Sequence, residues 1–168
     1  MYIVIHLCFF VSNRMSVLQW IGVWAMTGYS KPEKSDLDRW SRGMGYLLVD
    51  PKGLHYFKEF LNDPRRKFGS HSKCFSILED CERLINEEGP IPGTEALAVL
   101  KEAEEYLNMS SGDIVQAEND IESGNVDQIR KVIISIREAA KEELDDVYGL
   151  FVSVFKEQVS PKKKCIIL

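Results

Sequence analysis

Apolar side chains recur along most of this chain at intervals of three and four residues, which is the spacing of one face of an α-helix. The pattern is clearest at residues 73–85, 126–143 and 144–159. Its positions are Cys74, Ile77, Leu78, Cys81 and Ile85, then Ile129, Val132, Ile133, Ile136 and Ala140, then Tyr148, Phe151 and Phe155. No sustained alternation of apolar and polar residues predicts a strand. We therefore expect an all-α domain over residues 36–159.

Turn signals divide the start of this domain. A helical pattern at residues 36–48 leads into Asp-Pro-Lys-Gly at residues 50–53, with proline at its favoured second position of a turn. A short helix over residues 54–61 is expected to end before Pro64, because the proline ring cannot continue a helix.

Further connections separate the later helices. Residues 64–72 are expected to form a basic loop, and Gly-Pro-Ile-Pro-Gly at residues 89–93 breaks the chain again. Thr94 is a good N-cap for the next helix. The apolar stripe of that helix is Leu97, Leu100 and Leu107. The stretch 102–122, with acidic and no basic side chains, is expected to be a solvated helix face.

The N-terminal segment, residues 1–30, is largely apolar but is interrupted by Ser12, Asn13 and Arg14. As one transmembrane span it would place Arg14 in the middle of the bilayer, at a cost of about 2.5–3.5 kcal/mol. Each apolar half alone is too short to cross. No positive charge precedes the apolar run, as a signal peptide would require. Two interpretations stay open: a helix packed on the domain, or a helix lying in a membrane surface.

Composition excludes several classes of function. The net charge of −5 gives the chain no general attraction for nucleic acid. Four cysteines without a CxxC pair, and three widely separated histidines, predict neither a zinc site nor a disulfide framework. Cys74 and Cys81 lie seven residues apart on one expected helix face, so we interpret them as buried free thiols.

From Trp40 the pattern becomes specific. The segment WSRGMGYLLVDPKGLHYFKEFL resembles, without a gap, the opening signature of the RGS (regulator of G-protein signalling) domain family. Two later stretches, residues 77–81 and 146–153, resemble the family more loosely. The resemblance implies an RGS-type helical bundle whose core includes the signature residues, namely Trp40, Leu47, Leu48, Gly53, Phe57, Phe60 and Leu61.

The resemblance also implies a function. RGS domains bind the α subunit (Gα) of heterotrimeric G proteins and accelerate its GTP hydrolysis without a cofactor. Gα carries its own arginine and glutamine for the chemistry, and the regulator holds the switch loops in place. The chain is then not an enzyme but a regulator of one. The implied Gα-binding residues are His71, Ser72, Asp146, Val147 and Leu150.

Three of these positions differ from the family pattern. His71 stands where the family usually has Asn, Val147 replaces a common Ser, and Leu150 stands where an Arg often supports the acid at Asp146. These differences leave room for an alternative function, a non-catalytic scaffold or interaction module with the same fold.

The last four residues, Cys165-Ile166-Ile167-Leu168, fit the C-a-a-X prenylation motif, and the final leucine indicates geranylgeranylation of Cys165. Lys162, Lys163 and Lys164 lie directly upstream and supply the second signal that stable anchoring requires. The sequence therefore predicts a cytoplasmic protein held on the inner face of a membrane, the plasma membrane being expected. This location argues against glycosylation at Asn108.

Overall fold

The computed structural model describes residues 29–159, of which Glu33 onward belong to one compact unit. All secondary structure in the described part is helical, so the all-α prediction is confirmed. The predictions for residues 1–28, for Lys162 to Lys164 and for Cys165 lie outside the described residues. The helices are α1 (Lys34–Trp40), α2 (Met44–Leu48), α3 (Pro51–Leu61), α4 (Gly69–Asn86), α5 (Gly93–Tyr106), α6 (Ser111–Glu122) and α7 (Val126–Val159).

The helical pattern at residues 36–48 is divided into α1 and α2. The break falls at residues 41–43, where Gly43 has φ of +152°, a conformation that side-chain-bearing residues rarely adopt. The prediction of a separate turn at residues 50–53 is wrong, because these residues are the N-cap and first turn of α3. Asp50 caps α3 by accepting a hydrogen bond from the Lys52 backbone N–H at 3.2 Å, and Pro51 is the first helical residue. Proline suits that position because its missing N–H is not needed there.

Four antiparallel helical segments form an up-and-down bundle from α4, α5, α6 and the N-terminal half of α7. The Cys74 thiol at the start of α4 lies 3.4 Å from the Tyr106 carbonyl oxygen at the end of α5. Arg83, near the end of α4, pairs with Glu95, at the start of α5, at 3.0 Å. The Arg130 guanidinium at the start of α7 donates to the Ile85 carbonyl at 2.7 Å, which places α4 and α7 antiparallel as well.

The last two apolar patterns belong to one helix rather than two. α7 has 34 residues, so it is about 51 Å long at 1.5 Å per residue. It contacts every other helix of the described part. Gly149 lies within it and does not break it, because a glycine inside a helix costs only about 1 kcal/mol and burial on both sides of the position outweighs that cost.

The structure revises the expected N-cap of α5 and one expected core position, and it confirms the other core positions named for α5. Pro92, not Thr94, precedes the first residue of α5. Leu97 is exposed, whereas Leu100 and Leu107 are buried. Cys74 and Cys81 are buried free thiols, as predicted. Burial, together with the neighbouring Asp80 and Glu82, raises the pKa of Cys81 to about 12, so its thiol stays protonated at neutral pH.

Candidate functional site

His71 and Ser72 lie in the first turn of α4 and not in a loop, since the helix begins at Gly69. The Ser72 backbone N–H donates to the Phe68 carbonyl at 2.9 Å and so closes that turn. The Phe68 ring packs on Phe60, with ring centroids 5.5 Å apart, and holds the helix start against the core. The basic connection is therefore shorter than the sequence suggested and spans residues 62–68.

The half-buried His71 ring stands edge-on to Phe68, with centroids 5.7 Å apart. Its Nδ1 atom is buried and has no hydrogen-bond partner among the described residues. The neighbouring Ser72 hydroxyl donates to the Asn62 side-chain oxygen at 2.8 Å. His71 is thus positioned by its ring contacts, while Ser72 ties the helix start back to the end of α3.

The three later candidate residues share one region of α7 but differ in exposure. Asp146 is exposed, Leu150 is 45% exposed, and Val147 is only 3% exposed. Val147 therefore contributes to the core and does not present its side chain to a partner. Neighbouring Tyr148 fixes this stretch, because its hydroxyl donates to the Trp40 carbonyl oxygen at 2.6 Å.

The antiparallel pairing of α4 with α7 brings the two sets of candidates to the same level of the molecule. Ile85 lies beside Arg130, and Arg137 lies 3.8 Å from Glu82. Burial, and next the Glu143 carboxylate, raise the pKa of Cys74, which places Glu143 near the start of α4. From this register we expect His71 to lie opposite residues 146–147, about one turn further on.

Sequence reasoning missed a residue in the connection between α5 and α6. Asn108 is exposed there, one residue after the buried Leu107. Since the end of α5 adjoins the start of α4 through Tyr106 and Cys74, this connection lies at the same end of the bundle as His71. The sequence did contain a signal, because Leu107 and the polar Asn108 stand between two helical patterns, where an exposed connection is expected.

Asp63 organises the basic connection. It accepts hydrogen bonds from the Arg65 side chain at 2.9 and 3.1 Å and lies 3.4 Å from the Arg66 guanidinium. Burial opposes ionisation of Asp63, but the hydrogen bonds from Arg65 outweigh it and hold its pKa below the usual value. The Arg66 guanidinium stacks 4.2 Å from the centre of the Phe60 ring. The connection is therefore held in place by charge and by stacking.

Other kinds of site find little support in the described residues. A depression of about 130 Å³ near Leu48, Leu54 and Leu78 is smaller than the 300–1,000 Å³ typical of ligand pockets. No group of three or more metal-ligating side chains occurs between residues 29 and 159. None of the helices in that range is both long and apolar enough to span a membrane.

No family model matches the sequence. A search of curated proteins also finds no match.

Proposed function

We propose that this chain is a membrane-tethered RGS-type regulator that binds Gα and accelerates its GTP hydrolysis. The observation that carries the proposal is the burial of the signature residues. Trp40, Leu47, Phe57 and Phe60 are each fully buried, and Leu61 is 3% exposed. Six of the seven signature residues, Gly53 included, thus pack together in a helical scaffold, and Leu48 is half-buried.

The proposed Gα-binding surface is the end of the bundle where α4 starts and α5 ends. His71 offers its Nε2 atom, because its Nδ1 is buried, while Asn108 offers a carboxamide and Asp146 a carboxylate. Leu150 supplies apolar contact at the edge. A carboxamide both donates and accepts hydrogen bonds, so Asn108 takes the role for which the sequence has no Asn at position 71.

Under this proposal the chemistry belongs to Gα. Its own arginine and glutamine stabilise the transition state, and the regulator lowers the cost of ordering the switch loops. A rigid surface is what this task requires. The Phe60–Phe68–His71 ring series and the hydrogen bond between Ser72 and Asn62 supply rigidity at the start of α4.

One observation favours the alternative function, a non-catalytic scaffold that binds its partner without accelerating GTP hydrolysis. Asp146 is exposed and forms no ion pair with another described residue, since Leu150 stands where the resemblance places a supporting arginine. A less well-positioned carboxylate favours binding without acceleration.

Single-turnover GTP hydrolysis by Gα separates these functions. We expect at least a tenfold increase in rate with the full chain, and binding to Gα loaded with GDP and aluminium fluoride. Binding without acceleration would support the scaffold. Absence of both across the Gα classes would refute the proposal.

Two variants test the surface. Asn108→Ala and His71→Ala should each weaken binding to that Gα complex about tenfold, which corresponds to one lost hydrogen bond of about 1.4 kcal/mol. Asn119→Ala is the matched control, because Asn119 is an exposed asparagine on α6. Equal affinity of the Asn108 and Asn119 variants would remove Asn108 from the surface.

The tether is proposed to be a geranylgeranyl group on Cys165, with Lys162, Lys163 and Lys164 attracted to anionic lipid. Cys165→Ser should move the protein from the membrane fraction to the cytosol, while Cys74→Ser should leave its partitioning unchanged. Fractionation after expression in a prenylating host measures both. Unchanged partitioning of the Cys165 variant would refute the lipid.

A further inference from the structure

The connection between α3 and α4 carries a charge pattern that the proposed function does not use. Arg65, Arg66 and Lys67 are three consecutive basic residues, and Ser70 follows the last of them by three positions. Between residues 29 and 159 the one other serine that follows three consecutive basic residues closely is Ser72, two positions later. Protein kinases select their substrates by such patterns of charge around the acceptor.

Two of the three basic side chains are exposed, and one of these two, Arg65, is paired with Asp63. Arg65 is 53% exposed at its side chain and Lys67 is also exposed, whereas the Arg66 side chain is 18% exposed and stacks on Phe60. In an extended chain, side chains two positions apart point to the same side. Arg65 and Lys67 would then face one side of a bound peptide, five and three positions before Ser70.

The two nearby serines differ in a way that selects one of them. Ser70 is exposed, and its hydroxyl has no hydrogen-bond partner among the described residues. The hydroxyl of Ser72 is already engaged by Asn62, and its side chain is half-buried. An acceptor must offer a free, reachable hydroxyl, and Ser70 meets that requirement.

A kinase cleft binds its substrate as an extended segment, so residues 65–70 must leave their folded conformation to be phosphorylated. No side chain caps the start of α4, so the first turn of the helix lacks the hydrogen bond that usually resists fraying. Lys67 has φ of +56°, in the left-handed region that non-glycine residues avoid. Extending residues 65–70 relieves that conformation, at the cost of the Arg65 pair with Asp63 and the stacking of Arg66 on Phe60.

We propose that Ser70 is a phosphorylation site for a serine/threonine kinase that selects basic residues three and five positions before the acceptor. ATP is the phosphate donor. A bond forms between Ser70 Oγ and the γ-phosphorus as the bond from that phosphorus to the bridging oxygen breaks. ADP leaves, and the hydroxyl proton passes to the aspartate of the kinase. The product carries a charge of about −1.5 to −2 next to His71, within reach of Arg65 and Lys67.

The test uses the full chain, Mg-ATP and the catalytic domain of a kinase with this selectivity. Mass spectrometry of the peptides should place most of the incorporated phosphate on Ser70. Ser70→Ala should abolish this incorporation, while Ser72→Ala should still carry the phosphate on Ser70. Phosphate absent from Ser70, or found mainly on Ser72 or elsewhere, would overturn the proposal.

A second variant tests recognition. The double variant Arg65→Ala/Lys67→Ala should lower the kinase kcat/KM at least tenfold, whereas Lys73→Ala, an exposed lysine after the acceptor, should leave it within twofold. Partial unfolding does not explain such a loss, because an unfolded segment is more accessible to a kinase. Equal kcat/KM for the double variant and the Lys73 variant would contradict the proposed recognition. Neither measurement involves Gα.

Discussion

Around the C-terminal half of α7 the core is built mainly of rings, whereas around its N-terminal half it is built mainly of aliphatic side chains and alanines, with Phe75 as the one buried ring among the described residues there. We call the first region, α1 to α3 with residues 144–159, the aromatic half, and the second, α4 to α6 with residues 126–143, the aliphatic half. The buried rings of the aromatic half are Trp40, Tyr56, Phe57, Phe60, Phe151 and Phe155. The aliphatic half buries Ala96, Ala103, Ala117 and Ala140 among its leucines, isoleucines and valines.

The difference follows from helix length. In the aromatic half α1, α2 and α3 have 7, 5 and 11 residues, and isolated helices shorter than about 12–15 residues are marginal in water. Large rings compensate, because each buries about 150–250 Å². In the aliphatic half α4, α5 and α6 have 18, 14 and 12 residues, and buried alanines let them pack closely. Short helices thus depend on a few large side chains, and longer ones on many small contacts.

The two halves also differ in where their polar side chains form hydrogen bonds and ion pairs. In the aromatic half Asp50 accepts a hydrogen bond from the Trp40 indole N–H at 2.5 Å, pairs with Arg39 and caps α3, while Asp36 pairs with Lys52 at 2.5 Å. In the aliphatic half most ion pairs lie at the surface, as does that of Arg83, whose side chain is 47% exposed. Exposed pairs contribute about 0–1 kcal/mol, so the polar network should matter in the first region more than in the second.

Phe151→Ala should break the aromatic half most severely. Its ring contacts Trp40, Phe57, Phe60 and Phe155, with centroids 4.6–6.1 Å apart. We expect a loss of about 3–5 kcal/mol in the free energy of unfolding, measured by urea denaturation. Ile133→Leu, at a fully buried position of the aliphatic half, should cost less than about 1.5 kcal/mol. Similar losses would show that the rings do not organise the core.

The same contrast explains how much of the fold could be predicted. In the aliphatic half α4, α5 and the first part of α7 have long periodic segments and were predicted from spacing, whereas α6 was not separated from the acidic stretch 102–122. The aromatic half was predicted less accurately because its short helices depend on contacts distant in sequence, such as that of Trp40 with Phe151. Residues 50–53 are one example, since proline suits both a turn and a first helical turn, and only the cap at Asp50 distinguishes the two.

The candidate site was less predictable than the fold. Spacing alone did not show that Val147 is buried while Asp146, one residue earlier, is exposed, because this requires the rotation of α7 against α4. Asn108 was missed because it comes close to the start of α4 only through the antiparallel packing of α5 against α4.

Asp50→Ala should have the next largest effect. It removes the cap of α3 and leaves the buried Trp40 indole N–H without its acceptor, so we expect a loss of about 2–3 kcal/mol. Glu95→Ala is the comparison in the aliphatic half: it removes an exposed pair with Arg83 and should cost less than about 1 kcal/mol. Urea denaturation of both variants measures the difference, and equal costs would contradict the special role of the network.

The network should also respond to acid. Burial opposes ionisation of Asp36 and Asp50, but hydrogen bonds from neighbouring groups, Trp40 for Asp50 and the Glu33 backbone for Asp36, hold both pKa values below the usual one. A lowered folded pKa stabilises the fold above the unfolded value of about 3.9, and this contribution is lost as the pH falls through the lowered value. The stability difference between the native chain and Asp36→Asn/Asp50→Asn should therefore shrink between pH 5 and pH 2. A constant difference would contradict it.

The smallest expected effect compares two glycines inside helices. A Cβ at Gly53 would lie 2.7 Å from the Trp40 indole nitrogen and 2.9 Å from Leu47 Cδ1, whereas a Cβ at Gly149 would meet nothing within 4 Å. Alanine is favoured over glycine within a helix by about 1 kcal/mol at either site, but at Gly53 the fully buried neighbours have no room to move.

Gly149→Ala should therefore raise the free energy of unfolding by about 0.5–1 kcal/mol, while Gly53→Ala should lower it by about 1–2 kcal/mol through overpacking. Thermal and urea denaturation of the two variants give this difference directly. Because the same chemical change is made in both helices, a difference in sign isolates the close approach of α3 to Trp40. Stabilisation by both substitutions would mean that the aromatic half is packed loosely enough to accept a methyl group beside its largest ring.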